Sequence, residues 1–326
     1  MRALVCNAYG PPDDLVVEDR PDLEPGPGEV AVDVVAAAIN FPDLLVIAGQ
    51  YQDKTPPPFV PGNEAAGTVA SVGEGVTGLA AGDRVIVMPR GGAFAERCVV
   101  DASKVVPMPG RLDYEQAAAF GVVYGTSYHG LRQSARLGAG ESLLVLGAGG
   151  GVGLAAVELG KVMGARVIAA ASSAAKLDAA RAAGADETVD YAQEDLREAV
   201  RRLTDDRGVD VVYDPVGGDL AQQALRGLSW HGRYLVVGFA SGDIPAFPAN
   251  IALLKEASII GVWWGTWLAR HPDEHRANLR ELLAWINDGT IAPKVTETYA
   301  LDDFRRAFHR IASREAVGKV VLRLRD

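Results

Sequence analysis

Glycines, rather than ionisable side chains, carry the clearest chemistry in this chain. The run Leu143-Leu144-Val145-Leu146-Gly147-Ala148-Gly149-Gly150-Gly151-Val152-Gly153 reads as a short buried strand, a glycine turn and the first residues of a helix. So tight a turn needs residues without a Cβ, a pyrophosphate must approach backbone N–H groups closely, and a helix N-terminus favours negative charge. The pattern Ala148-x-Gly150-x-x-Gly153 departs from the strict three-glycine form, and an ordinary glycine-rich turn of an α/β sheet is the alternative. The strand before it and the helix after it favour a dinucleotide-binding corner, with Gly150, Gly151 and Val152 at the phosphates. About 20 residues further on, a fold preferring NAD sets an Asp or Glu on the ribose 2′-hydroxyl. Here Arg166-Val167-Ile168-Ala169-Ala170-Ala171 ends without a carboxylate, and Ser172, Ser173 and Lys176 follow. Losing the acid removes repulsion against a 2′-phosphate, and a lysine with hydroxyls attracts it, so the expected cofactor is NADPH.

The composition narrows the rest. There are two cysteines, Cys6 and Cys98, far apart, which gives neither a disulfide framework nor a metal cluster of CxxC type. The net charge of −10 argues against non-specific nucleic-acid binding. The start, Met1-Arg2-Ala3-Leu4-Val5-Cys6-Asn7, lacks the long apolar core of a signal peptide. No stretch reaches the roughly 18 apolar residues of a membrane span. A cytoplasmic protein without membrane association is the expectation.

The elements that must position these residues fall into two patterns. Up to about residue 120 the chain is β-rich: Glu29–Ala37 alternates and is rich in valine, and Gly67–Val72, Arg84–Met88 and Ala93–Val100 are short apolar runs. Turn signals such as Pro25-Gly26-Pro27-Gly28 and Ala81-Gly82-Asp83 separate them. Thr55-Pro56-Pro57-Pro58 forbids helix and marks a stiff loop. From Val123 onward strands and helices alternate. Strands are expected at Leu143–Leu146, Arg166–Ala171, Val209–Tyr213, Arg233–Val237 and Ser258–Val262, with helices such as Ser173–Ala183 and Glu194–Leu203 between them. That is the signature of a doubly wound parallel sheet. The tail adds helices near Glu274–Asn287 and Asp302–Ile311 and a final strand, Lys319–Leu324. The expected division is a catalytic domain over 1–123, a cofactor domain over 124–264 and a segment over 265–326 that returns to the first domain.

The motifs together resemble the medium-chain dehydrogenase/reductase superfamily, in its zinc-free quinone oxidoreductase branch. The resemblance rests on Ala38-Ile39-Asn40-Phe41-Pro42-Asp43, Phe59-Val60-Pro61-Gly62-Asn63-Glu64-Ala65-Ala66-Gly67, Gly82-Asp83-Arg84-Val85, Gly149-Gly150-Gly151-Val152-Gly153, Asp210-Val211-Val212-Tyr213-Asp214 and Gly318-Lys319-Val320-Val321-Leu322. It implies an α/β protein: a β-rich GroES-like catalytic domain, a Rossmann domain for NADPH, and a cleft between them. The zinc branch of that superfamily holds its catalytic metal with Cys, His and Cys. The matching positions here are Asn40, Asn63 and Val122, which supply neither thiolate nor imidazole. The residues after Arg90, Gly91-Gly92-Ala93-Phe94, also lack the four cysteines of the family's structural zinc loop. No metal is expected.

The resemblance also assigns positions around the cofactor. Ser173, Lys176 and Tyr191 match the residues that contact the 2′-phosphate. Thr126, Gly238-Phe239-Ala240 and Val262-Trp263-Trp264 match segments beside the nicotinamide, although core or dimer packing accounts equally for the tryptophans. Lys319 is expected near the pyrophosphate, or else as a surface lysine of the last strand. Asn40 is expected to touch both cofactor and substrate.

Hydride transfer to a conjugated acceptor asks the protein to orient the acceptor, stabilise developing enolate or hydroquinone charge and provide a proton. Asn40 can donate through its amide and Tyr51 through its phenol; a tyrosine matching Tyr51 is the proton donor proposed in related enoyl-thioester reductases. Asp43 would orient them, or simply cap a helix starting near Leu44. Tyr51 could equally be a loop aromatic, and His129 reads as a packing residue. The expected activity is NADPH-dependent reduction of a quinone. The alternatives are reduction of an enone, alkenal or enoyl thioester, and a non-catalytic NADPH-binding protein with a structural or regulatory role. Near Asn40 only Lys54 is basic, which disfavours a CoA thioester. The apolar run Ile251-Ala252-Leu253-Leu254 with Ser258–Trp264 reads as an edge segment that a homodimer would cover.

Overall fold

The computed structural model describes residues 1–325. Strands β1 (Arg2–Val5) and β2 (Val16–Asp19) form an antiparallel pair. The long β3 (Glu29–Ile39) is followed by β4 (Ala65–Val72), β5 (Arg84–Val87), β6 (Arg97–Asp101) and β7 (Val105–Pro107). Next come β8 (Ser142–Leu146), β9 (Arg166–Ala171), β10 (Glu187–Asp190), β11 (Val209–Asp214), β12 (Leu228–Val236) and β13 (Ser258–Gly261). The tail contributes β14 (Val295–Ala300) and β15 (Lys319–Arg323). No helix among the described residues is long and apolar enough to cross a membrane.

Contacts divide the chain into two compact units. One comprises Met1–Val122 with the chain from Ala292 onward, and the other Val123–Ile291. The chain therefore rejoins the first unit at residue 292 rather than at 265. The reason lies in the helix Pro272–Asp288, which buries Leu279, Leu282 and Ile286. Trp285 packs against Tyr128 with ring centroids 5.9 Å apart, and Gln133 Nε2 donates to Asn278 Oδ1 at 3.0 Å. These contacts tie the helix to the start of the second unit.

In the first unit a seven-stranded sheet runs β14-β15-β3-β4-β5-β7, with β6 also paired to β3. β15 lies antiparallel to β3, so Val320 faces Ile39 and Lys319 falls beside the end of β3. The core gathers Leu4, Val32, Ile39, Phe94, Phe304 and Phe308 among others. Phe94 and Phe308 meet edge to face at 5.9 Å. Burying such side chains contributes roughly 1.5–3 kcal/mol each relative to exposure.

In the second unit six strands lie in the order β10-β9-β8-β11-β12-β13, every neighbouring pair parallel. This order reverses direction between β8 and β11, which marks the usual nucleotide-binding point of a doubly wound sheet. Leu143–Leu146 and Val167–Ala171 are fully buried. Their lack of alternation is that of strands covered on both faces. β10 is a strand that the apolar pattern does not announce: only Val189 of its four residues is fully buried, so the run Glu187-Thr188-Val189-Asp190 carries little apolar signal. The helix Gly121–Tyr128 carries Thr126 and passes directly into a π-helix over His129–Ser134.

Candidate functional site

Each unit carries one cluster of candidate residues. In the first, Asn40 follows β3 directly and is the N-cap of the helix Phe41–Ile47. Asp43 is therefore the third residue of that helix and not its cap. It reaches back, its Oδ2 accepting the Asn40 backbone N–H at 2.7 Å, while Oδ1 accepts from Asn63 Nδ2 at 2.8 Å. Asp43 is fully buried. Loss of hydration pushes its carboxyl up to about 7, against the opposing effects of the Asn40 N–H and the nearby Lys319 ammonium. Asn63 Oδ1 accepts from the Gly91 backbone N–H at 3.2 Å, so both ends of this amide are engaged.

Glu64 and Lys319 complete the cluster. Glu64 Oε1 accepts from Asn40 Nδ2 at 2.8 Å and from Lys319 Nζ at 2.8 Å, and Oε2 accepts from the Val122 backbone N–H at 2.8 Å. Lys319 Nζ also donates to Asn40 Oδ1 at 2.6 Å and to the Ile39 carbonyl at 3.1 Å. The Lys319 and Glu64 side chains are 5% and 0% exposed. The surface reading of Lys319 is therefore corrected: the side chain is buried and its ammonium is held inside the first unit by three acceptors. Glu64 is a site residue that the sequence reading does not single out. A signal is available in the pairing of one acid next to Asn63 with one lysine that directly precedes the apolar run Val320-Val321-Leu322. Tyr51 lies half-buried in the bend after the helix, its backbone N–H donated to the Leu45 carbonyl.

In the second unit, Gly150 caps the helix Gly151–Val162. A Cβ on Gly153 would stand 2.3 Å from the Gly147 carbonyl, so helix and strand approach as closely as the glycine pattern requires. A Cβ on Gly149 would meet the Cβ of Lys176 at 2.4 Å, which seats Lys176 against the glycine turn. Ser173 caps the helix Ala174–Ala182, and Lys176 Nζ lies 3.5 Å from Ser172 Oγ. Asp190 pairs with Ala171, and the Tyr191 N–H donates to the Ala171 carbonyl at 3.1 Å. Ser173, Lys176 and Tyr191 thus converge at the carboxyl end of β9. Asp190 arrives with them, its Oδ1 accepting the Ala192 N–H at 3.0 Å.

The remaining positions line the same unit. Ser127, next to Thr126, donates to the Val152 carbonyl at 3.0 Å and binds the Tyr213 hydroxyl at 2.9 Å, which holds Thr126 beside the glycine corner. Gly238 and Ala240 donate backbone N–H groups to Asp214 and Pro215, placing the Gly238-Phe239-Ala240 turn over the end of β11. The Val262 N–H donates to the Val236 carbonyl at 2.9 Å. The two tryptophans part company: Trp264 is buried against Gly125, where an added Cβ would stand 2.3 Å from its ring, whereas Trp263 is 50% exposed. Trp264 is a packing residue. So is His129, stacked on Trp267 at 4.3 Å with burial lowering its pKa.

Comparison with known proteins agrees with both units. Residues 26–110 match the alcohol dehydrogenase GroES-like domain model, and residues 151–288 match the zinc-binding dehydrogenase model. The chain is 42% identical to a quinone oxidoreductase-like protein 2 homolog of Nematostella vectensis, over 98% of this chain and 88% of that one. It is 36% identical to a quinone oxidoreductase of Pseudomonas aeruginosa, over 97% of each. The crystal structure of Escherichia coli quinone oxidoreductase complexed with NADPH superimposes with a TM-score of 0.92 at 31% identity, covering 99% of this chain and 100% of that one.

The second family model raises zinc, and the donor set here does not suit it. Val122 offers a hydrocarbon, both amide ends of Asn63 are engaged, and the Asn40 oxygen faces an ammonium that would repel a cation. A nicotinamide dinucleotide does suit the second unit, where the helix N-terminus at Gly150 and the hydroxyl–lysine group beyond Ala171 are complementary to phosphate.

Proposed function

The chain belongs to the quinone oxidoreductase branch of the medium-chain dehydrogenase/reductase superfamily, and on that premise we propose that it is an NADPH-dependent, zinc-independent reductase of quinones. An NAD(P)-dependent oxidoreductase is the general activity; the choice of NADPH and of a quinone is the specific reading. The observation that carries it is the Asn40 cluster, where the metal-ligand positions are taken by amides already hydrogen-bonded and by a valine. A site of neutral donors suits a conjugated carbonyl, whose reduction spreads charge over an enolate-like oxygen and needs no Lewis acid. The bound nicotinamide would supply the hydride.

In this reading Asn40 donates to the acceptor oxygen, Asp43 holds Asn40 and Asn63 in place, and Tyr51 offers a proton. Gly150, Gly151 and Val152 receive the pyrophosphate, and Ser173, Lys176 and Tyr191 the 2′-phosphate. Thr126, Gly238, Phe239, Ala240, Val262 and Trp263 flank the nicotinamide. The names of the Pseudomonas aeruginosa relative and of the Escherichia coli complex with NADPH support this assignment. A homodimer also fits: β13 is an edge strand, and Leu253, Leu254 and Ile259 are 76%, 68% and 39% exposed. A second reading, reduction of an enone, is favoured by Tyr51, since a carbon acid product needs a placed proton more than a hydroquinone does. The test is NADPH oxidation with a naphthoquinone before and after exhaustive dialysis against chelator. Steady turnover, unchanged by the chelator, is expected. Activity lost to the chelator and restored by zinc contradicts the reading, and no turnover with any acceptor makes the protein a binder.

A further inference from the structure

Within the cluster of the first unit, the group Asn40, Glu64 and Lys319 closes on itself except at one hydrogen. Lys319 is a donor with three hydrogens and no acceptor. All three are placed, on the Ile39 carbonyl, Asn40 Oδ1 and Glu64 Oε1 at 3.1, 2.6 and 2.8 Å. Glu64 accepts from Lys319 and Asn40 at one oxygen and from the Val122 N–H at the other. Asn40 gives its oxygen to Lys319 and one Nδ2 hydrogen to Glu64. Its second Nδ2 hydrogen is the one donor of these three side chains with no acceptor among them. Asn40 retains 7% exposure, while Glu64 has none.

A carboxamide can ordinarily turn end for end, exchanging donor for acceptor at nearly the same shape. Here that turn would set an NH₂ against an ammonium and a carbonyl against a carboxylate. Both contacts would be repulsive, in a place where water cannot relieve them. We propose that Lys319 and Glu64 are positioning residues that make Asn40 an obligate donor: the buried ion pair fixes the amide so that a ligand meets its N–H and never its C=O. The ligand class is an oxygen acceptor, a carbonyl or the anion that develops from it. This deepens the reading of Asn40 as the contact to the substrate oxygen and rests on it. It also gives the buried pair a purpose, since such a pair adds little net stability beyond that of an apolar replacement.

The test compares N40A, K319M/E64Q and the triple variant. K319M/E64Q removes the orienting charges without leaving one buried alone. If Lys319 and Glu64 act through Asn40, their effects are not additive with its removal. With NADPH and 1,4-naphthoquinone, N40A is expected to lower kcat/KM about 10- to 100-fold, a lost hydrogen bond to a developing charge. K319M/E64Q lowers it by no more, and the triple variant stays within about two-fold of N40A. A triple variant that loses the product of the two separate effects overturns the proposal, as does wild-type activity in K319M/E64Q. Side-chain amide NMR supplies the readout without cofactor or substrate. The Asn40 NH₂ signals, identified by their loss in N40A, are expected as two protons with unequal exchange rates, and K319M/E64Q should speed exchange of the slower, Glu64-bonded one. Unchanged exchange in the variant overturns the positioning role. Full activity in N40A instead overturns the substrate contact, whatever the exchange shows. Should K319M/E64Q not fold, K319Q/E64Q keeps the volume and polarity, offers a donor and an acceptor at both positions, and is held to the same outcomes.

Discussion

Replacing Asp43 by asparagine should remove a specific pH dependence from the stability of this protein. Asp43 is fully buried, and loss of hydration holds its carboxyl at about 7 instead of the ordinary 3.8. A raised folded-state value means that the native state binds the proton more tightly than the unfolded chain. The resulting stabilisation is complete below the unfolded value and is lost as pH rises through 7. At about 1.4 kcal/mol per pH unit, the native protein should lose roughly 2–3 kcal/mol between pH 5 and pH 8 from this group alone. The amide of the D43N variant cannot ionise, so that slope disappears. A constant cost takes its place: Asp43 accepts from both the Asn40 N–H and Asn63 Nδ2, an amide offers one acceptor, and a donor left unpaired costs about 1–3 kcal/mol at every pH. Urea unfolding of both proteins at pH 5, 6, 7 and 8 measures the difference. Groups common to both, such as the buried His129 and the half-buried His275, cancel. The stability gap in favour of the native protein should narrow as pH rises. Parallel curves, or a gap that widens with pH, would refute the reasoning about Asp43.

Three further outcomes follow from the sites. Lys176→Ala should weaken NADPH about 10- to 150-fold through one lost charge-assisted contact while leaving NADH nearly unchanged; equal affinity of the native protein for both cofactors would reject the 2′-phosphate assignment. Tyr51→Phe should slow reduction of an enone about 10²–10⁴-fold and that of a quinone much less, checked by initial rates with both acceptors. Light scattering at micromolar concentration should find a dimer that Ile259→Lys, at the exposed edge of β13, converts to a monomer; a monomeric native protein would contradict the edge-pairing argument.

How much can be read from the residues depends on how local its cause is. The glycine corner is legible because Gly153 has a local steric reason, a carbonyl 2.3 Å from any Cβ. The strands β8 and β9 are legible because burial on both faces leaves an unbroken apolar run. β10 escapes a sequence reading, since an edge strand needs little apolar surface and Glu187-Thr188-Val189-Asp190 shows little. The end of the second unit differs from the expected boundary by 27 residues, 265 against 292, because only the packing of Leu279, Leu282 and Ile286 reveals which unit that helix serves. The largest revision concerns Lys319. Its sequence neighbourhood says only that a lysine precedes the apolar run Val320-Val321-Leu322. Its partners Asn40 and Glu64 lie 279 and 255 residues away in sequence, brought beside it by the β15–β3 register. Asn40 is recognisable from its residue type as a donor, but what fixes its direction is a non-local ion pair.

The most direct test of the central claim is NADPH oxidation with three acceptors in parallel, a naphthoquinone, an enone and a saturated ketone, with metal-free protein. Amide donors without a Lewis acid suit a conjugated carbonyl and poorly suit an isolated one. We expect the quinone to have the highest specificity constant, the enone a lower one and the saturated ketone none that can be measured. An enone ahead of the quinone would move the protein to the second reading with the hydride chemistry intact. Faster turnover of the saturated ketone than of both conjugated acceptors would contradict the assignment.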